Sequence, residues 1–168
     1  MTVPPPPSPG QDPARSTRTK PVELVIWGAH GGAGTSTLAA WLQPAWDAGS
    51  MRPGPNPQYP AQLARDRVLL VACRNTAWCA AQATKAVAAV TRQGGEVAVL
   101  VVTSDGWSEP TTAGSRFRLL EPLVGAVVYM PFIPAFREVA EPTDVSLPRL
   151  ALRALAKINA AAGRNLPI

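Results

Sequence analysis

Histidine and cysteine are nearly absent from this sequence of 168 residues. It contains one histidine, His30, and two cysteines, Cys73 and Cys79. These residues are too few and too widely spaced for a zinc-binding pattern, so we expect no zinc site. We expect both cysteines to be free, buried thiols in a reducing compartment, with a redox pair as the alternative.

Long hydrophobic runs are also missing. No apolar stretch approaches the roughly 20 residues that a membrane-spanning helix needs, and no apolar run follows a basic start as in a signal peptide. The sequence therefore predicts a cytoplasmic protein. The net charge is +5, to which residues 1–21 contribute three cations and one anion. The remaining excess of positive charge is too small for a dedicated nucleic-acid-binding protein.

Proline, by contrast, is abundant, with 19 residues in the chain, and it is clustered. Residues 1–21 combine many prolines with almost no large apolar side chain, which predicts a disordered, Pro-rich tail. Residues 47–62 are rich in proline and glycine, which predicts an irregular surface loop. We therefore expect one folded domain over residues 22–168 that carries this loop.

Four short, continuous apolar runs are typical of strands buried on both faces: residues 22–27, 67–73, 96–103 and 126–130. Helical patterns follow them over residues 35–43, 77–91, about 112–120 and 147–162. This alternation predicts an α/β fold, a three-layer αβα sandwich with a mainly parallel sheet of about four or more strands. For the last helix, Ser146 is a candidate N-cap and Gly163 a candidate terminator. Its apolar residues share one face, which we expect to pack on the core: Leu147, Leu150, Ala151, Ala154, Leu155, Ile158 and Ala162.

The last predicted helix also carries a basic stripe. Arg149, Arg153 and Lys157 follow one another at intervals of four residues, so they share one face. Our first interpretation is a solvated outer face. Contact with DNA, a membrane or an acidic partner is the alternative.

A glycine-rich turn, WGAHGGAGTSTLAA from Trp27 to Ala40, links the first predicted strand to the first helix. In this context, successive backbone N–H groups form a concave site for phosphate, to which the helix start adds partial positive charge. The candidate phosphate-binding residues are Gly31, Gly32, Ala33, Gly34, Thr35, Ser36 and Thr37. The alternative is a tight turn that binds nothing.

The turn resembles the deviant phosphate loop of the MinD/ParA family of P-loop ATPases, which reads roughly KGGxGKT. The three glycines match, and Ser36 falls on the hydroxyl that ligates Mg²⁺ in that family. The two lysines do not match, because His30 stands at the signature lysine and Thr35 at the lysine that contacts the β- and γ-phosphates. The resemblance implies a P-loop NTPase-like fold that binds ATP or ADP with Mg²⁺. It extends to short proteins of actinobacterial plasmids and conjugative elements.

A second segment, residues 130–142, resembles the part of the family that lies beside the adenine. It places Pro131, Phe132, Ile133 and Pro134 on the adenine side. The family's Walker B aspartate has no evident counterpart, because the strand at 67–73 ends in Arg74. We interpret Asp47 and Asp105 as turn or cap residues, and the Pro-rich loop as the replacement of the family's second strand and Walker B strand.

Three functions follow as hypotheses. The first is a degenerate, non-hydrolysing nucleotide-binding domain that acts as a binding or scaffold module for plasmid maintenance, DNA transfer or positioning machinery, with an unknown protein partner. The second is an active ATPase that takes its cation from Arg74, Arg116, Arg137 or a partner. The third is an interaction protein without nucleotide. We expect a monomer or weak dimer, and weak pH-dependent anion binding through His30.

Overall fold

The computed structural model describes residues 22–52, 54 and 57–164, and the predicted tail at 1–21 lies outside these residues. Five parallel strands form one sheet in the order β2-β1-β3-β4-β5. The strands are β1 (Leu24–Gly28), β2 (Ala45–Ser50), β3 (Val68–Arg74), β4 (Val99–Thr103) and β5 (Ala126–Met130). The helices are α1 (Thr35–Trp41), α2 (Ala61–Ala64), α3 (Ala77–Arg92), α4 (Thr111–Leu120) and α5 (Arg149–Ala161).

Two hydrophobic clusters cover the two faces of the sheet. Alternate residues of the central strands point to opposite faces, as the period of a strand requires. Leu24 and Ile26 join α1 and α5 on one face, while Val25 and Trp27 join α3 and α4 on the other. The predicted three-layer αβα sandwich is confirmed, and all four predicted strands are present.

Strand β2 was not predicted from the sequence. Residues 45–50 pair in parallel with β1, with Leu24 opposite Ala45 and Ile26 opposite Asp47. The prediction of an irregular loop over 47–62 is therefore wrong at both ends, since α2 occupies residues 61–64. The side chains of β2 are half-buried or exposed, so the strand lacks the apolar run from which the others were predicted.

Helix α5 begins at Arg149, after Pro148, and no side chain caps its first turn, so the predicted Ser146 cap is wrong. Its predicted end is confirmed, because Gly163 adopts a φ of +72° just after the helix. The face predicted to pack on the core is buried except at Leu150, which is 64% exposed, and Leu147, which is half-buried. Among the described residues, no helix is both long enough and apolar enough to cross a membrane.

Candidate functional site

The glycine turn lies between β1 and α1, where the chain leaves the carboxyl edge of the sheet. From β1 the chain continues to β2 on one side, while β3 lies on the other side, so the turn sits where the strand order reverses. Ligands of open α/β sheets bind at such positions. Gly32 and Gly34 have φ values of +74° and +90°, which explains the need for glycine there.

The carboxyl ends of strands β3 and β4 fix the position of the glycine turn. The Thr103 hydroxyl at the end of β4 lies 3.1 Å from the Cys73 carbonyl oxygen and 3.4 Å from that of Ala33. Ala33 is 1% exposed, so the middle of the turn is part of the core. Sequence reasoning missed Thr103, because a threonine at a strand end has no distinguishing pattern. The loop is therefore held in place before any ligand arrives.

Ser36 and Asp47 form a polar pair beside the turn. The Ser36 hydroxyl donates to Oδ2 of Asp47 at 2.5 Å, while Oδ1 of Asp47 accepts from the backbone N–H of Gly49 at 2.8 Å. The second contact agrees with the predicted turn role. The first shows that β2 brings a carboxylate to the serine hydroxyl, so the interpretation of Asp47 as only a turn residue is incomplete.

The donors of this pair suit Mg²⁺. Serine hydroxyl and carboxylate are hard oxygen ligands, and Mg²⁺ sites commonly use one or two carboxylates together with substrate phosphates. Ser36 and Asp47 are the residues that would hold the ion, which would neutralise phosphate charge there. No group of three or more histidine, cysteine or acidic side chains lies together in the described part of the chain. The pair therefore fits a metal that arrives with a phosphate ligand.

His30, at the start of the glycine turn, is turned inward and is 6% exposed. Its Nδ1 lies 2.8 Å from the Gly31 carbonyl oxygen, and its Nε2 accepts from the Arg74 backbone N–H at 3.2 Å. A carbonyl only accepts and an amide N–H only donates, so these two bonds require the neutral ring with its proton on Nδ1. The ring links the glycine turn to β3 and presents no charge to an anion.

A cavity of about 340 Å³ opens next to the turn. This volume is within the range of small-molecule sites. Several of the predicted site residues line it: Gly32, Gly34, Thr37, Pro131, Phe132 and Ile133. The other predicted site residues do not line it: His30, Gly31, Ala33, Thr35, Ser36 and Pro134. The structure therefore brings the two predicted segments together around one cavity.

Aromatic side chains form one wall of this cavity. Trp41 stacks on Phe136 with ring centroids 4.9 Å apart, and its indole N–H donates to the Pro142 carbonyl at 3.3 Å. Phe132 contacts Gly106, where an added Cβ would lie 3.1 Å from the ring. Sequence reasoning did not assign Trp41 or Phe136 to the site, because they meet only through the fold.

Two arginines also line the cavity. Arg74 ends β3, and Arg137 lies over the Phe132 ring at 5.2 Å from its centroid. Arg116, the third arginine considered from the sequence, belongs to α4 and is not among the lining residues. Asp105 lines the cavity as well, and its carboxylate accepts from the Trp107 N–H at 3.1 Å, in agreement with the predicted turn role.

The cysteines do not join the site. Both are free and buried, as predicted. Burial raises the pKa of the Cys73 thiol far above its usual range, with nearby Cys79 as a smaller cause. Cys73 therefore remains a protonated core residue.

The chain was compared with protein-family models, curated proteins and solved structures, and none of them matches it.

Proposed function

We propose that this protein is a degenerate MinD/ParA-like domain that binds ATP or ADP with Mg²⁺ and does not hydrolyse it efficiently. The observation that carries the proposal is the hydrogen bond between Ser36 and Asp47 beside the glycine turn. A hydroxyl from the start of α1 and a carboxylate from the adjacent strand together would offer oxygen ligands to a phosphate-bound metal. The cavity lined by Gly32, Gly34 and Thr37 would take the nucleotide.

Strand order alone does not select this ligand. The order β2-β1-β3-β4-β5 also occurs in flavodoxin-like proteins, whose ligand sits at the same reversal of strand order. The Asp47 carboxylate, hydrogen-bonded to the Ser36 hydroxyl, favours a phosphate with a bound metal ion over an isolated phosphate monoester, because a carboxylate repels a bare phosphate. FMN is therefore the comparison ligand for the first experiment.

Slow or absent hydrolysis follows from the turn itself. Thr35 stands where a loop lysine would contact the β- and γ-phosphates, and His30 is committed to backbone hydrogen bonds. Loss of one preorganised donor of this kind typically costs about two to three orders of magnitude in rate. We infer that the domain acts by binding, as a cytoplasmic scaffold or nucleotide-dependent module with a protein partner. Plasmid maintenance, DNA transfer or positioning machinery remains the expected setting.

Isothermal titration tests this proposal. The full chain is titrated with ATP, ADP and FMN at low salt, with Mg²⁺ and with EDTA. We expect micromolar ATP or ADP binding that weakens about tenfold without Mg²⁺, which is about 1.4 kcal/mol. Binding should weaken similarly in Ser36→Ala and not in Ser146→Ala, an exposed serine outside the cavity.

Backbone strain needs its own control in this titration. Gly34→Val and Gly94→Val both place a branched side chain at positive φ, but Gly94 lies after α3, away from the cavity. Only Gly34→Val should abolish binding. No heat at millimolar nucleotide, tighter binding of FMN, or equal loss in the two glycine variants would refute the proposal.

A second candidate, an active ATPase, is favoured by one further observation. Arg74 and Arg137 both line the cavity next to the turn and can supply positive charge that the loop lacks. Single-turnover phosphate release separates the two candidates. Activity that falls at least tenfold in Arg74→Ala or Arg137→Ala, and not in Arg116→Ala, would establish the ATPase. Under the binding proposal, the wild-type chain releases no phosphate above background, and Thr35→Lys raises nucleotide affinity about tenfold.

A further inference from the structure

Strand β5 is an edge of the sheet, and an open groove runs along it. The strand pairs only with β4 among the described residues. In a parallel ladder, the N–H and C=O of one residue face the same neighbour, and Met130 accepts from Ser104 on the β4 side. Val127 and Tyr129 therefore direct their backbone groups outward. An edge of this kind accepts an additional strand.

The groove beside this edge has a volume of about 830 Å³ and is apolar over much of its lining. Three large side chains in the lining of the groove are exposed to solvent: Tyr129 is 49% exposed, Leu150 is 64% exposed and Trp107 is 81% exposed. Leu150 belongs to the face of α5 predicted to pack on the core, yet here it overhangs the groove. Such a cluster of exposed apolar side chains next to unpaired backbone is typical of a site for another chain.

The groove is also basic. Arg153 and Lys157 of α5 line it, one helical turn apart, and neither has an acidic partner within the part of the chain that the structure describes. Burial raises the pKa of the Tyr129 hydroxyl, and Glu109, the acid in the lining, raises it further. All three members of the basic stripe of α5 are exposed, in agreement with a solvated outer face, and two of them also border the apolar groove.

We propose that this groove binds an acidic, extended segment of a partner protein, which adds a strand to β5. Backbone pairing at Val127 and Tyr129 would supply the register, and acidic side chains would face Arg153 and Lys157. Three features of the groove fit this occupant together: an open edge, an apolar lining and two unpaired cations. The proposal is independent of nucleotide binding.

The positive charge of Arg153 and Lys157 disfavours other ligands of the groove. A second copy paired through β5 would bring two sets of Arg153 and Lys157 into one interface, which is repulsive. Residues 1–21 of the chain itself carry a net positive charge and would also be repelled. Nucleic acid requires several phosphate contacts for useful affinity, whereas the groove offers two cations beside apolar side chains.

The test uses a defined probe, an eight-residue capped peptide that alternates valine and glutamate. One control peptide carries lysine in place of glutamate, and another carries proline in place of alternate valines, which keeps the charge but removes backbone donors. We expect binding of the first peptide only, with slower amide hydrogen exchange at Val127 and Tyr129. Affinity should fall at least tenfold in the Arg153→Glu/Lys157→Glu variant.

Arg149→Glu is the matched control, because Arg149 lies on the same helix but not in the groove lining. It should change affinity less than threefold, as expected for a screened surface charge. An equal loss of peptide affinity in both variants would mean that the overall charge of the helix, and not the groove, determines binding, and this would overturn the proposal. Binding of the lysine peptide, no binding of the glutamate peptide at millimolar concentration, or unchanged exchange at Val127 and Tyr129 would also overturn it. So would preferential binding of a DNA oligonucleotide that depends on Arg153 and Lys157.

Discussion

The two edge strands of the sheet are held in different ways. Strand β5 contributes buried side chains to the core, with Val128 and Met130 at most 5% exposed. Strand β2 contributes none that is buried, and Trp46 is 51% exposed. It is held instead by backbone pairing with β1 and by polar contacts at its ends. The strand that carries Asp47 to the candidate site is therefore held in the sheet without buried apolar side chains.

The largest effect is expected at the entry to β2. Arg164 is 4% exposed, and its guanidinium donates to the carbonyl oxygens of Leu42 and Gln43 at 2.6 and 2.5 Å. Arg164→Ala leaves these carbonyls without their charged donor, so we expect a loss of about 3 kcal/mol in the free energy of unfolding. Urea denaturation measures it, and a loss below about 1 kcal/mol would contradict this account of β2.

The next effect concerns β5. Val128 belongs to the same buried cluster as Ile133, Leu155 and Ile158, and Val128→Ala removes two methyl groups from it and leaves a cavity. We expect a loss of about 2 kcal/mol in the free energy of unfolding, measured in the same way. Nucleotide affinity should be unchanged. A change in affinity equal to that of the Asp47 variant would show that the two edges are not separate in function.

Asp47→Asn should have the opposite effect to Val128→Ala, because it should change ligand binding more than stability. Its amide oxygen still accepts from Gly49, so the turn is kept, but the negative charge next to Ser36 is lost. We expect the stimulation of nucleotide binding by Mg²⁺ to fall about tenfold, or about 1.4 kcal/mol. Titration with and without Mg²⁺ measures this, with Asp144→Asn, an exposed residue outside the cavity, as the control. Unaltered Mg²⁺ dependence would remove Asp47 from the metal site.

The smallest effect is expected at Trp46. Its indole N–H donates to Glu23 at 3.3 Å, and the Arg67 guanidinium lies 5.0 Å from the ring centroid. These contacts are partly exposed, so Trp46→Ala should lower the free energy of unfolding by about 1 kcal/mol or less. A loss above that of Val128→Ala would mean that side-chain packing, and not the backbone, holds β2.

The same difference explains what the sequence could predict. Four strands were found because each contains a continuous apolar run, and β5 was predicted with its observed bounds although it is only partly buried. Strand β2 was missed because its stability comes from pairing with a strand already in place, which leaves no pattern in AWDAGS. The glycine turn was identified from residue types, since Gly32 and Gly34 need positive φ.

The rest of the candidate site depends on contacts between distant residues. Ser36 and Asp47 meet because β2 returns beside β1, and His30 meets Arg74 across 44 residues. No local periodicity encodes either contact. A short signal was available for Asp47, which precedes glycine by two residues, but that pattern predicts a turn and not the carboxylate's second partner.

The contact between Arg164 and the end of α1 spans 122 residues of the chain. During synthesis, Leu42 and Gln43 leave the ribosome long before Arg164 is made, so their carbonyl oxygens gain this charged donor only after the segment that follows α5 has docked. Strand β2 can pair with β1 before that, because fewer residues separate β1 from β2 than from β3. A chain stalled before Arg164 would therefore carry the Ser36–Asp47 pair on a strand whose entry lacks this anchor.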